Sequence, residues 1–149
     1  MIRSEKRLRL CVVLLCFNLI FIWGNSLLPG HISGALSNWL KDLLAPIFGL
    51  TPGGSGGGLL RKLTHFVEFA CLGMCLTWLF GMLQKKPMRQ TLFPLLIAFG
   101  VACIDETIQI FVPDRGPGIK DVLLDTFGAV AGIGILTIIH IQNIKKQRS

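Results

Sequence analysis

Three short sets of ionisable residues stand inside long apolar runs. Arg61, His65 and Glu68 are spaced i, i+4, i+7, which puts them on one face of a helix. Asp105 and Gln109 are spaced i, i+4, and Glu106 and Gln109 i, i+3, so these three can also face one way. Asp121 and Asp125 form another i, i+4 pair, and Arg115 lies between the last two sets. A histidine among carboxylates can transfer protons. Carboxylate oxygens are also hard ligands that can hold a divalent cation, and an arginine can meet an anionic substrate. On this reading His65 or Glu68 serves as base. Asp105 and Glu106 serve as acid or metal ligands, and Gln109 orients them. Arg61, Arg115, Asp121 and Asp125 are candidate substrate-binding positions.

The elements that must position these groups follow from composition. The chain has 149 residues, of which 52% are hydrophobic, and its mean hydropathy is +0.64. That is too apolar for a soluble domain of this length. The apolar residues fall in four blocks of about 20, enough for a helix to cross the hydrocarbon core. In lipid each backbone polar group needs an internal partner, so the blocks are expected to be helices. The expected spans are residues 10–28, 63–83, 91–111 and 121–140. They form one domain over residues 10–142, between a basic segment at 1–9 and a basic tail at 143–149.

The intervening segments carry their own signals. Residues 29–60 form a long loop. Within it Leu36, Trp39, Leu40, Leu43, Leu44 and Ile47 recur at helical spacing. This predicts a short amphipathic helix lying in the membrane interface, with Trp39 at headgroup level. The glycine-rich run from Thr51 to Gly58 lacks the Lys-Ser/Thr ending of a phosphate-binding loop and reads as a flexible linker. Pro87 marks a turn, and residues 112–120 form a tight loop with two prolines and two glycines. Gly128 and Gly132 have the small-xxx-small spacing that lets helices approach closely within the molecule.

Charge sets the expected orientation. The net charge is +7, and the basic residues gather at the junctions between apolar blocks. Nucleic-acid binding is disfavoured by that distribution and by the absence of tyrosine. Arg3, Lys6, Arg7 and Arg9 precede the first block, which reads as an uncleaved anchor. Lys85, Lys86 and Arg89 follow the second block, and Lys145, Lys146 and Arg148 follow the fourth. The positive-inside rule then puts both termini in the cytoplasm and the loops at 29–60 and 112–120 outside. Every ionisable group of the three sets thereby meets at the outer third of the membrane, where Asn25 and Ser26 join them. The expected architecture is an all-α four-transmembrane-helix bundle with an outer polar pocket.

Plainer roles compete with the functional ones. Asp121 can complement the dipole at the start of its helix. Arg61 and Lys62 can be interfacial anchors, and Arg115 can pair with Asp114 or Asp121 to hold the loop. Asp114 and Lys120 read as solvated, and His31 and His140 as interfacial. Cys11, Cys16, Cys71, Cys75 and Cys103 are odd in number and lack metal-ligand spacing, so they read as small packing residues. His65, Glu68, Glu106 and Gln109 lie a turn or more inside, where an ionisable group marks a functional candidate by default.

Three segments, in order, resemble motifs of the VanZ-like family. Arg61-Lys62-Leu63-Thr64-His65-Phe66-Val67-Glu68-Phe69 resembles its RKxxHFxEY segment. Asp105 to Arg115 resembles DExxQxFxPxR, and Asp121 to Gly128 resembles DxxxNxxG. Phe69 stands where the family usually has tyrosine, and Asp125 where it usually has asparagine. The resemblance implies a bacterial cytoplasmic-membrane protein, in a family named for a member that gives low-level resistance to the glycopeptide teicoplanin. It therefore implies action at the cell envelope. Three functions follow as expectations: lowering of glycopeptide action, an enzyme acting on a lipid-linked or phosphorylated cell-wall intermediate, and a non-catalytic binding or assembly protein. A transporter fits less well, because no polar path continues beyond the outer third.

Overall fold

The computed structural model describes residues 2–48, 57–84 and 86–148, and among them every regular element is helical. The helices are α1 (Ile2–Ser26), α2 (Gly30–Phe48), α3 (Gly57–Leu83), α4 (Pro87–Ile110) and α5 (Ile119–Arg148). All but α2 are long and apolar enough to cross a membrane, over Ser4–Ser26, Gly58–Leu83, Pro87–Ile110 and Ile119–Gln142. The burial pattern is the inverse of a soluble protein's. Phe17 is 67% exposed and Ile20 70%, whereas Asp105 is fully buried. Only lipid makes such an outward apolar surface favourable. The chain is a four-span membrane protein.

Helix boundaries depart from expectation in ways that local chemistry explains. α1 begins at Ile2 rather than near residue 10, because Arg, Lys, Glu and Leu in 3–10 are strong helix formers. α5 likewise continues past residue 140 into the polar tail. Pro87 opens α4 instead of marking a turn before it. Lys86 is the extended N-cap (φ −86°, ψ 121°), and a proline just inside a helix start loses no hydrogen bond. α3 begins at Gly57, so the last two glycines of the expected linker are helical, while Thr51 to Gly56 lie outside the described residues.

The first loop is more ordered than its sequence implied. α2 spans 19 residues from Gly30 and includes His31, which was expected in irregular chain. The amides of Ile32 and Ser33 donate to the Pro29 carbonyl, starting the helix at once. The Gly30 amide donates to the Pro113 carbonyl at 3.0 Å, and a Cβ at Gly30 would strike the Asp114 backbone. Only glycine therefore lets the 111–118 loop dock on the start of α2. Ser33 and Lys41 are buried on the inner side of α2, Ile32 and Leu43 are exposed, and Leu36 and Trp39 are exposed along the edge that faces α1.

α3 is the central helix and packs on all four others, most extensively on α5. The small residues explain the α3–α5 contact. A Cβ on Gly128 would strike the Phe66 carbonyl, one on Gly132 the Ala70 carbonyl, and one on Gly73 the Ala129 carbonyl. Backbone thus meets backbone along two turns from both sides, the close approach that small-xxx-small spacing permits. Ile22, Phe69, Leu72, Leu76, Ala98, Val101, Ala102 and Ala129 form the apolar core beside it.

Candidate functional site

The antiparallel order of the spans brings the ends of four helices together. Ser26 closes α1, His65 lies in the third turn of α3, Asp105 to Gln109 end α4, and Asp125 lies in the second turn of α5. His65, Glu68, Asp105, Glu106, Gln109 and Asp125 are all buried there. The close α3–α5 approach at Gly128 is one turn from Asp125 and sets that carboxylate against α3.

Hydrogen bonds fix one half of this cluster. Asp105 Oδ2 accepts from Ser26 Oγ at 2.8 Å and from Gln109 Nε2 at 3.0 Å. Gln109 Nε2 also lies 3.1 Å from Glu106 Oε1 and 3.3 Å from Ser26 Oγ, so its amide is shared among three acceptors. Gln109 thereby ties Asp105, Glu106 and Ser26 together. The Gly118 amide, just before α5, donates to Glu106 Oε2 at 2.8 Å. Asn25 Nδ2 donates to Glu68 Oε1 at 3.0 Å, and Asn18 Nδ2 to the Glu68 carbonyl at 3.3 Å.

The other half is left open. His65 Nδ1, Glu68 Oε2, Asp105 Oδ1 and Asp125 Oδ1 are buried with no hydrogen-bond partner among the described residues. His65 Nδ1 stands 3.7 Å from Glu68 Oε2 and 4.0 Å from Asp105 Oδ2, beyond hydrogen-bond reach. His65, Asp105 and Asp125 each offer one ligand atom, all within 4.8 Å of one another. Ligands on opposite sides of one divalent ion stand roughly 4–5 Å apart, so these three residues could hold one. Four carboxyl groups in so dry a volume need protons or a cation among them.

Arg61, Arg115 and Asp121 take different places. Arg115 lies near enough to Asp105, Glu106 and Glu68 for their charges to act on it, but its hydrogen bonds go to backbone. Its Nη2 donates to the Asn25 carbonyl at 2.6 Å and its Nε to the Leu28 carbonyl at 3.0 Å. It caps the end of α1, where carbonyls lack helical partners. Burial, then the nearby charge of Arg61, pushes its pKa below the ordinary arginine range. Asp121 pairs with Lys62 at 3.0 Å, and Asp114 pairs with His31 at 3.0 Å, so Arg115 holds the loop without either aspartate. Asp121 also lies in the first turn of α5, where its charge complements the dipole. Arg61 is half-buried at the edge of the cluster, beside His65, Glu106 and Asp125.

Some partners had no obvious sequence signal. Gly118 binds Glu106 through its backbone, which residue type does not reveal. Asn18 was missed, though it lies two turns before Asn25 on the same face of α1. All five cysteines are free, and Cys11 Sγ donates to the Cys75 carbonyl at 3.4 Å.

A four-span bundle with a buried histidine–carboxylate cluster at one end defines a polytopic membrane protein with a polar site. The VanZ/LLP1 family profile matches residues 4–140, and the chain belongs to that family. No curated protein and no solved structure matches it.

Proposed function

We propose that this VanZ-family protein acts at the bacterial cell envelope as a membrane enzyme on a lipid-linked or phosphorylated substrate. The single observation that carries this reading is that four of the eight buried, unpartnered side-chain atoms among the described residues lie together, on His65, Glu68, Asp105 and Asp125. A purely structural polar network satisfies its members, because each unmet buried group costs about 1–3 kcal/mol. One ligand atom each from His65, Asp105 and Asp125 lies close enough to the others to share a divalent cation, with Glu68 or Glu106 available for proton transfer. The basic N-terminus, 85–89 turn and tail support cytoplasmic termini, which would turn the cluster to the outer leaflet. The outward apolar stripe of α2 supports its lying in the interface there.

The test uses protein in vesicles of extracted envelope lipids with magnesium, calcium or manganese. Phosphate-bearing lipids are expected to turn over with at least one ion. His65→Ala and Glu106→Gln are expected to abolish turnover at unchanged membrane abundance. In a sensitive host the wild type, but neither variant, is then expected to lower teicoplanin susceptibility. Absence of turnover with all three ions sinks the enzyme reading. Equal loss of melting temperature and activity in Glu106→Gln would favour a non-catalytic assembly role.

A further inference from the structure

A cleft of about 430 Å³ opens between α1, α2 and α3, on the side of α3 away from α5. That volume is in the range of small-ligand sites. Its walls are apolar: Phe17, Ile20 and Phe21 on α1 face Leu36 and Leu40 on α2. Its polarity is graded along α1. The aromatic end at Phe17 lies roughly 12 Å from the end at Asn25, at 1.5 Å per residue. Asn25 and Arg61 border the latter end.

Among the described residues Arg61 is the sole charged residue lining the cleft, and no carboxylate shares it. Among the described residues Arg61 makes no hydrogen bond or ion pair, although it is half-buried. It also borders the His65, Glu106 and Asp125 cluster and is close enough for its charge to act on Glu106, so one residue lines both the apolar cleft and the polar site. A guanidinium with open donors, set at one end of an apolar groove, complements an anionic head on a hydrocarbon tail.

We infer that this cleft binds a phosphate-headed lipid, its chain along Phe17, Ile20 and Phe21 and its phosphate on Arg61. That the bound lipid is also the substrate rests on the proposed function; that it binds does not. The phosphate would then sit beside His65 and Glu106 while the tail stays in a hydrocarbon-like groove.

Trp39 lines the cleft and can report its occupant. Trp23→Phe and Trp78→Phe leave Trp39 as the sole tryptophan, and Trp23 Nε1 has no partner to lose. The protein is placed in phosphatidylcholine vesicles containing brominated-chain phosphatidic acid or brominated-chain phosphatidylcholine at equal mole fraction. Phosphatidic acid is expected to quench Trp39 about fivefold more effectively, the preference that one arginine near an anionic lipid supplies. Arg61→Gln is expected to erase that preference, and Arg61→Lys to keep part of it. Gly24→Leu is expected to erase it too. Gly24 lines the cleft and a Cβ there would meet nothing within 4 Å, so a leucine can start into the groove without a clash at Cβ.

No headgroup preference in the wild type overturns the inference. So does a preference that survives both Arg61→Gln and Gly24→Leu. Preference without turnover sinks the proposed enzyme and leaves the lipid site standing. Turnover without preference does the reverse.

Discussion

The two faces of α3 solve opposite packing problems. Toward α5, backbone lies against backbone at Gly73, Gly128 and Gly132, and the polar cluster at the end of this seam leaves a void of only about 10 Å³. Toward α1 and α2, the groove holds about 430 Å³ between large side chains. The tight face has a cluster of charged groups and almost no space; the cleft on the loose face has space and, among the described residues, only Arg61 as a charged lining residue. In lipid, apolar contact alone does not drive helices together, because tails solvate an apolar helix as well as another helix does. Close backbone approach and polar contacts must hold the α3–α5 seam. The α1–α2 side can stay open, since lipid fills what protein does not.

The largest expected effect breaks the tight face. Gly132→Ala puts a Cβ on the Ala70 carbonyl, which belongs to rigid backbone and cannot rotate aside. Separating α3 from α5 would also draw Asp125 away from His65. Overpacking of this kind costs about 1–3 kcal/mol, and the upper end applies where only backbone can move. Detergent melting should show a large fall in midpoint and lower membrane yield. An unchanged midpoint would mean that the two helices are not in backbone contact.

A smaller effect separates the bonded from the unbonded half of the cluster. Ser26→Ala removes one of the two donors to Asp105 Oδ2 and leaves that buried carboxylate dependent on Gln109. The expected cost is about 0.5–1.5 kcal/mol, the net worth of one hydrogen bond, because Gln109 still serves the carboxylate. Asp125→Asn removes no hydrogen bond at Oδ1, since that atom has none among the described residues. It should leave the melting midpoint near the wild type while lowering any stabilisation by added manganese. If both variants melt alike with and without the ion, the division of the cluster into a structural and a cation-binding half is wrong.

Much of this arrangement was legible in the sequence because the membrane simplifies the reading. Hydrocarbon length fixed four spans, and alternating direction brought Asp105, His65 and Asp125 to one end before any coordinates. The spacing of Gly128 and Gly132 foretold close packing, but not its partners Phe66 and Ala70. What escaped were contacts without a residue-type signal: the Gly118 amide on Glu106, and the dock of Gly30 on the 111–118 loop. Arg115 shows a further limit. Its charge marked it for an anion or an aspartate, yet backbone carbonyls at the end of α1 also need donors, and they claim it. The cleft was invisible for a related reason. It is a space between helices, and periodicity describes only the surface each helix presents.

The smallest prediction repeats the glycine change on the loose face and expects the opposite sign. Gly24 lies on α1 beside the cleft, exposed, and a Cβ there would touch nothing within 4 Å. Gly24→Ala therefore incurs no clash. It removes backbone freedom from the unfolded chain, which favours the helix by about 0.5–1 kcal/mol. A single methyl is too small to fill the cleft, so lipid preference at Trp39 should persist where Gly24→Leu abolishes it. Melting of Gly24→Ala beside Gly132→Ala compares one substitution in two environments. A rise for the first and a fall for the second fixes the contrast between the faces. A fall for both would mean that α1 packs against a neighbour at Gly24, and that the cleft is closed in the membrane.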